Sequence, residues 1–80
     1  MYPNPAQREL FINLSEYAGQ KGHLILMNQL GQVLQSVDFE ELPAEAIRLD
    51  LQQTDNGLHF LNIRLDNQKV ITEKIMINNN

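Results

Sequence analysis

The feature that most constrains this chain is a period-two alternation of apolar and polar residues, clearest in Ile47-Arg48-Leu49-Asp50-Leu51. Ile47, Leu49 and Leu51 share one side of an extended backbone and Arg48 and Asp50 the other, which describes a strand with one buried and one wet face. The same alternation places Leu10, Ile12 and Leu14 on one side from Arg8 onward, and Leu24 and Leu26 as the inward pair of His23–Met27. It also aligns Leu61, Ile63 and Leu65 within 58–65. Val70, Ile71, Ile75, Met76 and Ile77 form a last strand with Thr72-Glu73-Lys74 at its middle. No helical period of useful length competes. Glu40-Glu41-Leu42-Pro43-Ala44-Glu45-Ala46 holds helix-compatible residues, but Pro43 and the strand that follows leave room for one turn at most. The segment reads as a crossover loop.

Turn residues separate the strands. Asn28-Gln29-Leu30-Gly31 predicts a hairpin turn, with Gly31 where a positive φ is cheap. Gly57 opens the penultimate strand after the polar 52–56, and Asp66-Asn67-Gln68 connects it to the last. In 32–39, Val33, Val37 and Phe39 have one parity and Leu34 and Ser36 the other, so burial on two sides or a bulge is expected there. Six strands whose faces must be hidden predict an all-β fold, a small immunoglobulin-like antiparallel β-sandwich of about six to seven strands. With 80 residues, below the roughly 100 of a full immunoglobulin domain, a short or missing edge strand is expected. Residues 1–80 read as one domain, with 1–7 as an approach segment stiffened by Pro3 and Pro5, and 78–80 as a flexible tail.

Composition excludes several functions. Six Lys and Arg against ten Asp and Glu, a net charge of −4, give neither a nucleic-acid footprint nor a polybasic membrane face. No cysteine is present, so disulfides, thiolate metal sites and thiol catalysis are absent. The longest apolar run, Leu24–Met27, is far short of a bilayer span, and no basic segment leads into an apolar one at the N-terminus in the manner of a signal peptide.

Catalytic residues are sparse. His23 and His59 could serve as base or ligands, but no spacing supplies a third partner; His59 reads as a buried or groove-facing strand residue and His23 as exposed. Asp38, Glu40, Glu41 and Glu45 are the densest carboxylates, without the spaced oxygen series of a calcium loop. Ser15 and Ser36 lie in no nucleophile elbow, and Asn13-Leu14-Ser15 has only the common glycosylation-acceptor spacing. The four glycines do not form a phosphate cradle. No catalytic, metal or cofactor site is expected. What is left is recognition by the folded surface, with Tyr2, Tyr17, His59 and Lys69 as candidates.

Tyr2-Pro3-Asn4-Pro5 followed by Leu10-Phe11-Ile12-Asn13-Leu14 resembles the start of the C-terminal sorting domains of type IX secretion substrates in Bacteroidetes. The likeness continues through the apolar strand and turn 24–31, the glycine-led Gly57-Leu58-His59-Phe60-Leu61, and the last strand, 69–77. It covers nearly the whole chain in order. Two departures stand out: His59 occupies a position where the family often has Tyr, and Asn78–Asn80 extend past the usual ending. The resemblance implies a non-catalytic address on an exported cargo lying N-terminal to it. The partners would be the outer-membrane type IX translocation machinery and a sortase-like protease that removes the domain. The route would be periplasmic transit to the cell surface or the extracellular space. It implies Tyr2, Pro3, Asn4 and Pro5 as the opening motif, Gly31 and Gly57 as turn glycines, and Lys69, Val70, Lys74, Ile75 and Ile77 as the partner-facing region. The competing readings are an accessory sandwich for carbohydrate or protein adhesion, for which the absence of Trp leaves a poor sugar platform, and a structural terminal module. Self-association through an exposed sheet edge is a further expectation.

Overall fold

The computed structural model describes residues 8–52 and 54–78; the motif 2–5 and the tail residues 79 and 80 lie outside them. The described residues form six strands: β1 (Glu9–Ile12), β2 (Gly22–Asn28), β3 (Val33–Phe39), β4 (Ile47–Asp50), β5 (Gly57–Leu65) and β6 (Val70–Ile77). All pair antiparallel, as a two-stranded sheet β1-β4 and a four-stranded sheet β3-β2-β5-β6. The chain length leads one to expect one short or missing edge strand; the reduction falls on a whole sheet, which has two strands of four residues each, and no α-helix occurs among the described residues.

The alternation read from sequence becomes the core. Leu10 and Ile12 of β1, Ile47 and Leu49 of β4, and the adjoining Leu51 face Leu24 and Leu26 of β2, Leu61, Ile63 and Leu65 of β5, and Ile75 and Ile77 of β6. Every fully buried apolar side chain in that cluster is Leu or Ile; Tyr17, Val37, Phe39 and Ile71 pack against it only in part. Burial of this kind contributes roughly 1.5–3 kcal/mol per side chain, and it replaces the disulfides that the chain lacks. Arg8 extends the small sheet by accepting a bond from the Leu51 amide at 2.8 Å.

Both hairpins of the large sheet use the same three-residue loop. In β2–β3 the Gly31 amide bonds the Asn28 carbonyl and the Asn28 amide bonds the Gln32 carbonyl, each at 3.1 Å. In β5–β6 the Gln68 amide bonds the Leu65 carbonyl at 3.0 Å and the Leu65 amide bonds the Lys69 carbonyl at 2.9 Å. This is a tight turn followed by one residue at positive φ. That residue is Gly31 at +81° in the first loop and Gln68 at +69° in the second. The Asn28 side chain braces the first loop, its Oδ1 accepting from the amides of Leu30 (2.9 Å) and Gln32 (3.0 Å).

Beyond that loop the β2–β3 register shifts: Met27 pairs with Val33 but Leu26 with Gln35, so Leu34 is the extra residue of a bulge. The mixed parity of 32–39 has this as its cause, because Val33 and Leu34 both stay exposed while Gln35, Val37 and Phe39 turn inward. Strand β1 ends two residues earlier than the alternation suggests. Leu14 is still buried, but it leads into a 3₁₀ turn, Ser15–Tyr17, closed by the Tyr17 amide on the Leu14 carbonyl at 2.9 Å. The crossover 40–46 contains no helix and is fixed by Leu42, which is buried and whose backbone bonds both Gly19 (2.8 Å) and Gln20 (2.7 Å).

Candidate functional site

The last hairpin carries the residues expected to face a partner, and the fold divides them between two faces. Val70 is 55% exposed and Lys74 points to the same outer side of β6, whereas Ile75 and Ile77 are 2% and 1% exposed in the core. Lys69 ends the β5–β6 loop, and its ammonium donates to the Tyr17 hydroxyl at 3.0 Å, 5.3 Å from the ring centroid. That bond, with the charge on Tyr17 as second cause, holds the Lys69 ammonium above its ordinary 10.5. Two of the surface candidates therefore form one clip between the 3₁₀ turn and the last hairpin. Gly57, at φ +122°, starts β5 opposite Ile77.

His59 lies at 3% exposure on the inward side of β5. Its Nδ1 stands 2.9 Å from the Gly57 carbonyl, and because a carbonyl only accepts, Nδ1 carries the proton. His59 also borders an open groove of about 350 Å³ between the Asn28–Leu30 turn, Leu34, Leu58 and the 54–56 loop. A core position fits the apolar strand around it, and it removes His59 from the surface candidates.

His23 is not simply exposed, as its place at a strand start suggests. Its side chain is 34% accessible, its Nδ1 bonds the Asp38 carboxylate across the β2–β3 pair, and Ser36 Oγ lies 3.4 Å from Nε2. Strand pairing brings these residues together from positions thirteen and fifteen apart, which spacing within either strand cannot reveal. The order hydroxyl, imidazole, carboxylate is that of an activated nucleophile. The surroundings are different: the row lies on the outer sheet face, at an open cleft of about 430 Å³ shared with Lys21, Glu40, Arg64 and Asp66. Acyl transfer draws most of its rate from preorganised donors in a water-excluded site, and a solvated sheet face does not supply one. Chemically the row is a cross-strand polar lattice. Among the described residues no group of three potential metal ligands forms, and Glu40, Glu41 and Glu45 do not converge with Asp38 on an ion.

On the small sheet, Arg48 of β4 bonds Glu9 of β1 directly opposite Phe11. The hydrogen bond to Glu9, and then its charge, raise the Arg48 pKa above its ordinary value. Both partners are solvent-facing, so the pair serves register more than stability.

The outer side of β5–β6 was not singled out by sequence beyond Val70 and Lys74. There the register sets Leu58 beside Met76, Phe60 beside Lys74, Asn62 beside Thr72 and Arg64 beside Val70. Phe60 is also the partner of Met27 on β2, so apolar residues continue across the sheet. No helix among the described residues is long and apolar enough to cross a membrane.

A family model described as the secretion system C-terminal sorting domain matches residues 1–78. No curated protein and no solved structure matches.

Proposed function

Since the chain belongs to the family of secretion system C-terminal sorting domains, the sorting signals of type IX secretion, we propose that it acts without catalysis, as a folded address joined to the C-terminus of an exported cargo. Family membership carries with it interaction with the type IX machinery and export to the cell surface or extracellular space. The finer steps are part of the proposal: passage through the periplasm, recognition at the outer membrane, and removal of residues 1–80 by a sortase-like protease at a bond before or near the domain.

The single observation that carries this reading is the family match over residues 1–78 of an 80-residue chain. The structure supports it in two respects. Three of the four strands that the family resemblance marks out, β2, β5 and β6, are consecutive neighbours in one sheet, and the fourth, β1, belongs to the small sheet. The His23-Asp38-Ser36 row, the nearest approach to a catalytic constellation, stands open to solvent on that sheet.

The test fuses residues 1–80 behind a reporter bearing a signal peptide, in a bacterium with the type IX system and in a matched secretion-null strain. The expected result is reporter outside the outer membrane in the first strain and held in the periplasm in the second. Equal periplasmic retention of intact, folded fusion in both strains overturns the proposal.

A further inference from the structure

We propose that the outer face of the β5–β6 hairpin is the docking surface for the secretion machinery, with Phe60 and Leu58 as apolar anchors, Lys74 and Arg64 as flanking cations, and an apolar protein surface edged by carboxylates as the partner. This inference rests on the sorting function proposed above and assigns it a place on the molecule.

Strand alternation produces the face. His59, Leu61, Ile63 and Leu65 point into the core, so Leu58, Phe60, Asn62 and Arg64 point out; on β6 the buried Ile75 and Ile77 leave Val70, Thr72, Lys74 and Met76 outward. Val70 is 55% and Met76 47% exposed, and Leu58 and Phe60 are half-buried between them and β2. With Met27 beside Phe60, this is a continuous apolar strip, while among the described residues the buried hydrophobic core is all Leu and Ile. Aromatic residues, Met and Arg are the types enriched where proteins bind one another, and a half-buried Phe held by its strand neighbours loses little side-chain freedom on docking.

Charge selects the occupant. The whole chain carries −4, yet both ionised groups on this face are cations, Lys74 and Arg64. Glu73, though exposed, has the inward parity of β6, and Asp66 in the loop lines with Asp38 and Glu40 the cleft at the Arg64 end of the face. A partner edged with carboxylates complements this face. A second copy stacked on the same face would bring the Lys74 of both copies into one interface with no outward acid on β5 or β6 to offset them. Two cations on an acidic chain are also too few for a lipid surface, where each Lys or Arg contributes about 1 kcal/mol.

The experiment uses the reporter fusion with four substitutions: Phe60→Gln, Lys74→Glu, Lys74→Arg, and Arg8→Glu as a control with the same charge reversal at an exposed site beside the small sheet. Far-UV circular dichroism and a melting curve verify each fold; Lys74 is exposed, so its variant stays folded even where Phe60→Gln does not. The expected result is a loss of about tenfold or more in system-dependent delivery for Phe60→Gln and Lys74→Glu, near-normal delivery for Arg8→Glu, and recovery in Lys74→Arg. A photo-reactive phenylalanine at position 60 is expected to form an adduct with an identified component of the secretion apparatus. Normal delivery by both face variants, while the unaltered domain still depends on the system, overturns the docking face and leaves the sorting function standing. Delivery of the unaltered domain in the secretion-null strain instead overturns the sorting function itself. A position-60 adduct at twice the domain mass, or vesicle flotation abolished by Lys74→Glu, assigns the face to self-association or to lipid and overturns the proposal.

Discussion

Gly22 is the glycine at which an added methyl would meet the core most closely. It lies at the start of β2, buried, opposite Phe39 on one side and Leu65 on the other. A Cβ built there would lie 2.8 Å from Leu42 Cδ1 and 2.9 Å from both Cδ2 and Cγ. Cγ is not the loose end of the chain, and Leu42 is 2% exposed with its backbone tied to Gly19 and Gln20, so the leucine cannot swing aside without moving the crossover. Overpacking of this kind costs about 1–3 kcal/mol. Alanine in place of glycine returns about 0.4–1 kcal/mol by restricting the unfolded chain, because Gly22 is absent from the glycines at positive φ. The net expectation for Gly22→Ala is a loss of about 1–2 kcal/mol, equivalent to a melting temperature lower by roughly 5–15 °C in a domain of this size. Urea unfolding followed by far-UV circular dichroism should show a lower midpoint with an unchanged slope. In a Leu42→Ala background the clash is gone and the same substitution should be neutral or stabilising, giving a coupling of about 1 kcal/mol or more between the sites. An unchanged or higher midpoint in Gly22→Ala, or an equal loss in both backgrounds, refutes the packing argument.

The two hairpin loops give a matched prediction: Gln68→Gly should stabilise by about 0.5–1 kcal/mol, and Gly31→Gln should destabilise by a similar amount, both read as shifts in the urea midpoint. Gly57→Ala should cost about 1–3 kcal/mol in the same assay, since φ of +122° excludes side-chained residues even though only Gln29 Nε2, at 3.9 Å, stands near the added atom. Lys69 has a folded pKa raised above 10.5, so whatever stability it adds is complete below that value and is lost as pH climbs through the folded one. Melting curves from pH 9 upward should therefore converge for wild type and Lys69→Met, and a gap that widens with pH counts against the Tyr17 clip.

What the sequence discloses is tied to the range over which its signals act. Alternation fixes which side of a strand is apolar, so Leu10, Leu24, Leu49 and Leu61 were legible as core, whereas Ile75 and Ile77, read as partner-facing, proved to be buried. Sheet order was not, because 40–46 could return β4 to either sheet; the Leu42 anchor and the Gln35 side-chain bond to the Asp50 carbonyl at 2.6 Å decide it only in three dimensions. Glycines show the same boundary. Gly31 could be read from its turn, while Gly22, which punctuates a strand in sequence, is required for close approach to a residue twenty positions away. Gln68 gives no local sign that it adopts a conformation usually left to glycine. At the candidate site, Lys74 and Val70 were visible in the last strand, but Phe60 joins them only through the β5–β6 register, just as Ser36 and Asp38 meet His23 only through β2–β3.

The division of β6 into two faces also decides how sorting must be tested. Truncating the chain through Lys69 removes the whole strand, and with it Ile75 and Ile77, two of the most completely buried side chains. Loss of each large aliphatic side chain from a core costs about 2–5 kcal/mol, while a domain of 80 residues has a total stability of about 4–12 kcal/mol. A truncated fusion would therefore lose delivery whether β6 contacts the machinery or only completes the sandwich, and Ile75→Ala or Ile77→Ala carries the same ambiguity. Lys74 and Val70 are free of it, because their side chains leave the core untouched. If β6 is read as part of the folded sheet, delivery should follow changes at Lys74 and Phe60 in variants with unchanged melting curves, and Ile75→Val, which keeps most of the buried volume, should deliver normally. If β6 is instead read as an unpaired strand, the inward residues make the contact, and Ile75→Val should reduce delivery while Lys74→Glu does not. The opposite ranking of these two variants separates the readings without a truncation.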